Sequence, residues 1–244
     1  MREALAFLTL IGRGETPSPR ALAWFPVVGA IVGLAVGFVW WGTAQWFPLP
    51  VAGAVAIVAD LAFTGLLHVD GLADSADGLI PPLPRERRLE IMRDPHAGVF
   101  AVVAIVAVLL VRFAVLGSIP PGAIAPTSIR AVLVIAALWC TSRTAMAVIA
   151  TTVPYARRQG LASAFIGGRP GVTILVAVPL ALGLGVLGTD PPARGVLAVL
   201  ACALGAAVVA TVARTRLGGF TGDVLGAAGV IGETVGLVLL AAHS

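Results

Sequence analysis

The chain has 244 residues, 59% hydrophobic and only 11% charged, with a mean hydropathy of +1.01. Soluble domains carry about a quarter charged residues, so the composition excludes an ordinary soluble globule and indicates a polytopic membrane protein, read as one domain over residues 1–244. All 16 basic residues are arginine and the net charge is +4. That balance suits membrane lipid or an anionic substrate, while bases scattered among loops without interleaved aromatics argue against a nucleic-acid partner.

Along the chain, Arg2 and Glu3 precede a short apolar run from Leu5 to Ile11 with no small-residue cleavage site before Arg13 and Pro17. It reads as an uncleaved interfacial helix. Seven apolar segments follow, against the roughly 20 residues a span needs: Trp24–Trp46, Val51–Leu67, Val99–Leu116, Ile129–Val153, Val172–Leu187, Gly195–Ala213 and Val224–Ala242. The second and fifth are the least secure by length, and Pro179 marks a kink site in the fifth. Residues 183–205 read alternatively as a re-entrant pair. The expected fold is all-α, a transmembrane helical bundle of about six to seven spans. In the first span, Gly29, Gly33 and Gly37 stand four apart and allow close helix approach. Packing within the chain is the simpler use of that stripe; a homo-oligomer is the other.

With the N-terminus in the cytoplasm and alternating spans, the inside segments hold Arg2, Arg13, Arg20, Arg85, Arg87, Arg88, Arg93, Arg157, Arg158, Arg169, Arg214 and Arg216, and the outside loops only Arg130 and Arg194. This is the positive-inside pattern of a multi-pass protein of the inner (cytoplasmic) membrane. It brings the polar segments 68–78, 92–98, 154–160 and 218–223 to the cytoplasmic face.

The segment His68 to Gly78 holds Asp70, Asp74 and Asp77 at i, i+4 and i+7, on one face of a helix. Like charges so placed repel, and a hard cation such as Mg²⁺ is the natural counter-charge; two such ions could bridge phosphate oxygens. Gly71 and Gly78 would let a phosphate ligand approach closely. A solvated surface patch is the plainer alternative, which the arginines crowding the following segment disfavour. His68 reads equally as an interfacial capping residue or as the base for an attacking hydroxyl. Pro81 to Pro84 ends the acidic helix, and Arg85 to Asp94 has an amphipathic pattern, with Leu89 and Met92 on one side, expected at the membrane surface. Segment 91–98 mixes Arg93, Asp94 and His96, either a helix stop at Pro95 or a phosphate-contacting loop.

Within the spans, Asp60 needs a partner such as Arg143. Arg112 suits snorkelling at the outer end; Arg143 lies too deep for that and pairs with Asp60 or Glu233, or binds phosphate. Arg157 and Arg158 after Pro154-Tyr155-Ala156 are either phosphate clamps or inner-face anchors. Gly218 to Asp223 precedes the last span, with Gly219 and Thr221 as an anion site or helix cap and Asp223 as a further metal ligand. Glu233 must pair or stay protonated. Cys140 and Cys202 read as small buried hydrophobes, and His243 carries no expectation.

Together, Ala23-Trp24-Phe25-Pro26 with Gly29, the block His68 to Gly78, Glu90 to Asp94, Ser142-Arg143, Pro154 to Arg157 with Gly160-Leu161, and Gly218 to Asp223 with Leu225-Gly226-Ala227 resemble the adenosylcobinamide-GDP ribazoletransferase family, also called cobalamin-5′-phosphate synthase. The resemblance covers nearly the whole chain. It implies a Mg²⁺-dependent enzyme of the prokaryotic cytoplasmic membrane that joins adenosylcobinamide-GDP to α-ribazole or its 5′-phosphate, giving adenosylcobalamin or its phosphate and GMP. Pro95-His96-Ala97 departs from the family pattern, which has Ser and Arg there. Assigned by chemistry, Asp70, Asp74, Asp77 and Asp223 would hold the metal, Arg93, Arg157, Gly219 and Thr221 the phosphates, and His68, Asp74 and Arg143 would carry catalysis. Two alternatives remain. A CDP-alcohol phosphotransferase needs an Ala-Arg pair after the first Asp-Gly, where this chain has Leu72-Ala73. A cation-coupled carrier would use Asp60, Arg143 and Glu233 as a relay.

Overall fold

The computed structural model describes residues 1–11, 17–125, 128–157 and 159–242, and Arg13, Arg158 and His243 lie outside them. The α-helices in chain order are α1 (Arg2–Leu8), α2 (Phe25–Ala44), α3 (Leu49–Thr64), α4 (Leu67–Leu79), α5 (Arg85–Ile91), α6 (Val99–Leu116), α7 (Pro121–Ile124), α8 (Ala131–Thr152), α9 (Pro170–Gly188), α10 (Pro192–Leu217) and α11 (Gly222–Ala241). The described residues contain no named strand, only an isolated bridge between Tyr155 and Phe220. Five helices are long and apolar enough to cross a membrane: α2 with the 3₁₀ turn before it, α6, α8 with the turn before it, α10 and α11; α9 is a shorter apolar helix, and α3 and α4 form a pair bent by 90°.

That bend corrects the expected second span. The chain does not run helically from Val51 to Leu67, because Gly65 (φ 59°) and Leu66 (φ 64°) are consecutive left-handed residues. Glycine takes that conformation freely, a leucine at some cost. The pair stops α3 and sends α4 off at a right angle, across the N-terminal parts of α6 and α11. The re-entrant alternative for 183–205 is also overturned: these residues are the ends of α9 and α10.

Close helix approach fixes the pairings. A Cβ on Gly33 would sit 2.7 Å from Ala136 Cα in α8, and one on Gly232 would sit 2.7 Å from the Cys202 carbonyl in α10. The glycine stripe of α2 therefore packs within the chain. Both cysteines are free and buried.

Four buried charges tie α3, α6, α8 and α11 together. Arg112 pairs with Asp60 at 3.0 Å and with Glu233 at 2.8 Å, and Arg143 pairs with the other oxygen of Glu233. The neutral groups complete the set: Trp139 Nε1 donates to Asp60 at 2.8 Å, Ser142 to Glu233 at 2.7 Å, and Arg112 Nε to Thr234 at 2.9 Å. Arg112 also lies over the Trp139 ring, 5.5 Å from its centroid. Arg112 is thus the hub of the network and does not snorkel, and Asp60 finds Arg112 where Arg143 was expected. Two acids against two bases balance, which makes the quartet a structural tie.

Two outcomes follow. Gly33→Leu drives a side chain into the α8 backbone and lowers the melting temperature in detergent, a cost of about 1–3 kcal/mol for overpacking. Arg112→Leu strands two carboxylates and costs about 3–5 kcal/mol, whereas Arg112→Leu combined with Asp60→Leu leaves Glu233 with Arg143 and recovers much of that loss, read from the same melting curves.

Candidate active site

The acidic helix reaches its place through small residues and helix-end contacts. A Cβ at Gly71 would fall 2.7 Å from the Asp223 carbonyl, and one at Gly226 would fall 3.2 Å from His68 Cα, so α4 and the start of α11 cross nearly backbone to backbone. Gly78 lies against Met92. The glycines of the acid block thus serve helix packing, where the sequence suggested room for phosphate. The α4 C-terminus is closed by arginines: Arg88 Nη1 donates to the carbonyls of Gly78 (2.7 Å) and Leu79 (2.9 Å), and Arg216 donates to those of Leu79 and Ile80. Arg85 Nε likewise donates to Leu217 at the end of α10, at 2.6 Å. Arg88 is therefore turned inward from α5, whose residues Arg85, Glu86, Arg87 and Glu90 are exposed.

Asp77 does not belong to the acid cavity. Its Oδ2 accepts from Gly98 N at 2.6 Å and its Oδ1 from Ala101 N at 3.0 Å, so it caps α6 from a neighbouring helix. Thr221 is buried and caps α11, accepting from Val224 N at 3.3 Å and donating to Asp223 at 3.1 Å. Gly219 allows residues 154–156 to pair closely with Phe220, whose N–H donates to Pro154 and whose carbonyl accepts from Ala156, both at 2.8 Å. Arg143 is held by the buried quartet. These four residues position the site and do not line its cavities.

Three cavities meet pairwise at this end of the bundle. The first, about 220 Å³, is lined by Asp70, Asp74, Arg93 and the 94–97 turn. The second, about 690 Å³, is lined by Arg85, Arg93 and Arg157, by Glu86 and Glu90, and by Tyr155 among others. The third, about 300 Å³ and half apolar, is lined by Phe7, His68, Asp70, Met146, Tyr155, Arg157, Ala162 and Asp223 among others. Arg93 is shared by the first and second, Tyr155 and Arg157 by the second and third, and Asp70 by the third and first.

Arg157 is positioned by Asp223 at 2.8 Å and by the Met92 carbonyl at 3.0 Å, while its Nε is buried without a partner. Asp223 Oδ2 is engaged by Arg157 and Thr221, and in the first cavity Asp94 is engaged by His96 while Asp70 and Asp74 from α4 share the wall with it. Burial, and then the charges of Asp223 and Asp70, push the Asp74 carboxyl up to about 7; the cluster lacks positive charge. Among the described residues no three His, Cys, Asp or Glu side chains gather as a preformed metal cage. Mg²⁺ does not require one: it binds through one or two carboxylates and completes its shell with water and substrate phosphate. An oxygen-only pair one helical turn apart fits that ion.

His68 is 3% exposed, and neither ring nitrogen has a partner. Burial, with Arg143 and Arg112 nearby, holds its imidazole well below the ordinary pKa. His96 is exposed and bound to Asp94, its ring Nδ1 at 2.7 Å. Burial raises the Tyr155 hydroxyl above its usual pKa. Sequence reading missed Phe7 and Met146 as cavity residues. Met146 was findable, standing three residues beyond Arg143 on one helix face; Phe7 gave no signal.

The α6 cap has a direct test. Asp77→Ala leaves two helix N–H groups unpaired and lowers stability by about 1 kcal/mol, measured by thermal melting, while divalent-cation affinity of the purified protein stays at the wild-type value.

The family model described as cobalamin-5-phosphate synthase matches residues 1–241. A protein of Escherichia coli O17:K52:H18 (strain UMN026 / ExPEC) named adenosylcobinamide-GDP ribazoletransferase is 34% identical over 221 residues, 91% of this chain and 87% of the relative. Relatives of the same name from Bradyrhizobium diazoefficiens (34% over 254 aligned residues, 99% and 93% of the two chains) and Citrobacter koseri (33% over 222 residues, 91% and 87%) also match. No solved structure matches the chain. The chain belongs to the cobalamin-5-phosphate synthase family.

Proposed function

We propose that the chain joins adenosylcobinamide-GDP to α-ribazole or α-ribazole 5′-phosphate, releasing GMP and forming adenosylcobalamin or its 5′-phosphate, at the cytoplasmic face of the inner membrane with Mg²⁺. The observation that carries this reading is the acid pair Asp70 and Asp74 opening on the same cavity as Arg93, with Arg157 next to it. A diphosphate needs both a cation held by carboxylates and arginine donors. The orientation is supported by charge: Arg20, Arg85, Arg87, Arg88, Arg93, Arg157, Arg169, Arg214 and Arg216 lie at the site end of the bundle, Arg130 and Arg194 at the other.

In the reaction a ribose hydroxyl oxygen bonds to the cobinamide-bearing phosphorus, the P–O bond to GMP breaks, and the hydroxyl proton is lost. Asp70 and Asp74 would hold Mg²⁺, which would supply charge neutralisation to the diphosphate. Arg93, exposed on the rim shared by two cavities, and Arg157, with its unpartnered Nε, donate to the phosphates and stabilise charge on the departing GMP oxygen. Asp223 acts through Arg157, fixing the guanidinium between the second and third cavities. The proton goes to an Asp70 or Asp74 oxygen or to water; Arg143, locked against Glu233, takes no part.

Purified protein given adenosylcobinamide-GDP, α-ribazole 5′-phosphate and Mg²⁺ yields one GMP per adenosylcobalamin phosphate by chromatography and mass spectrometry. EDTA stops the reaction and added Mg²⁺ restores it. Asp74→Asn lowers kcat at least about a hundredfold with an unchanged melting temperature. Wild-type turnover by that variant, or CMP release from a CDP-alcohol in place of GMP release, would overturn the assignment.

A further inference from the structure

The third cavity differs in kind from the other two. Phe7, Leu67, Met146, Leu161 and Ala162 give its wall an apolar part, and His68 offers a buried polar side chain whose two ring nitrogens have no partner. A buried imidazole normally has its donor and acceptor satisfied, so this one is arranged for a group that arrives. At about 300 Å³ the space lies at the small end of ligand pockets, enough for a bicyclic nucleoside and far too small for a corrin macrocycle.

On the reading given under Proposed function, two substrates must be seated. The donor brings a diphosphate, a guanosine and a corrinoid, which suit the larger arginine-containing cavity and the acid-lined one. The acceptor brings a flat, apolar benzimidazole whose N-glycosylated ring keeps one lone pair. The imidazole of His68 can present a ring N–H to that lone pair. The rim residues Asp70 and Arg157 belong to this cavity and also to its neighbours, so a base held deep in the pocket leaves its ribose at the junction where the diphosphate is expected.

We propose that this half-apolar cavity is the acceptor subsite, binding the benzimidazole ring of the α-ribazole nucleoside between Phe7, Met146 and Ala162, with His68 as its hydrogen-bond partner and the residue that sets base preference. His68 in this role is a binding residue, and the general-base role expected from the sequence is not required of it.

The test uses the whole chain in detergent or native membranes. Ala162→Phe fills the pocket and His68→Phe removes the hydrogen bond at nearly constant shape. Each raises KM for α-ribazole at least tenfold with KM for adenosylcobinamide-GDP within twofold of wild type, and His68→Gln, which keeps an N–H, recovers part of the loss. A measurement on the wild type is independent of whether the variants fold. A photoreactive azidobenzimidazole riboside labels peptides containing Met146 or residues 159–165, and labelling is competed by α-ribazole and not by GMP. Labelling elsewhere, competition by GMP, or a KM change confined to adenosylcobinamide-GDP overturns the subsite. A wild-type chain that labels in this cavity yet releases no GMP overturns the transfer reaction and keeps the assignment of the cavity to a benzimidazole nucleoside; one that releases GMP but labels elsewhere overturns the subsite alone.

Discussion

Everything at the site end of this bundle is set by a charge-balanced quartet buried between four helices. Asp60, Arg112, Arg143 and Glu233 come from α3, α6, α8 and α11, and each is held by another member of the set. Where no water can solvate a stray charge, such a network is satisfied in only one register. A one-turn slip of any of the four helices would strand a carboxylate or a guanidinium. The N-terminal ends of α6 and α11 are therefore fixed relative to one another, and those two ends are the support on which α4 rests.

The site is built from that support with few parts. Two left-handed residues turn the chain through 90° after α3. Gly71 and Gly226 let α4 cross α11 closely, Asp77 fastens it to the start of α6, and Arg88 and Arg216 close its far end. Of the three α4 aspartates, Asp70 and Asp74 are left facing the cavity they share with Arg93. The arginine-only composition acquires a structural meaning here. A planar guanidinium can reach two carbonyls, or a carbonyl and a carboxylate, at once, and Arg85, Arg88, Arg112, Arg157 and Arg216 each do so.

Much of this was legible in the sequence because it follows from solvent and periodicity. Apolar segments located the long helices, the α2 glycines announced a close helix contact, and the acid spacing put Asp70 and Asp74 on one face. What was not legible depended on distant partners. Nothing local distinguishes Asp77, which caps α6, from Asp74, one turn earlier. Arg112 looked peripheral because hydropathy says nothing of Thr234 and Glu233 across the bundle. Gly219 and Thr221 resembled an anion loop, since the residues that favour phosphate binding also favour helix caps and close strand approach. The break at Gly65-Leu66 was hidden because a leucine gives no warning of a left-handed backbone.

The central claim is that Asp70 and Asp74 hold a divalent ion which also contacts the donor's diphosphate. Mn²⁺ bound to the purified protein with donor carrying ¹⁷O on its diphosphate tests this by electron paramagnetic resonance. The account predicts ¹⁷O broadening of the Mn²⁺ signal in the wild type and its loss in Asp70→Asn/Asp74→Asn. A signal unbroadened by the labelled donor, or broadened equally in the double variant, would contradict it.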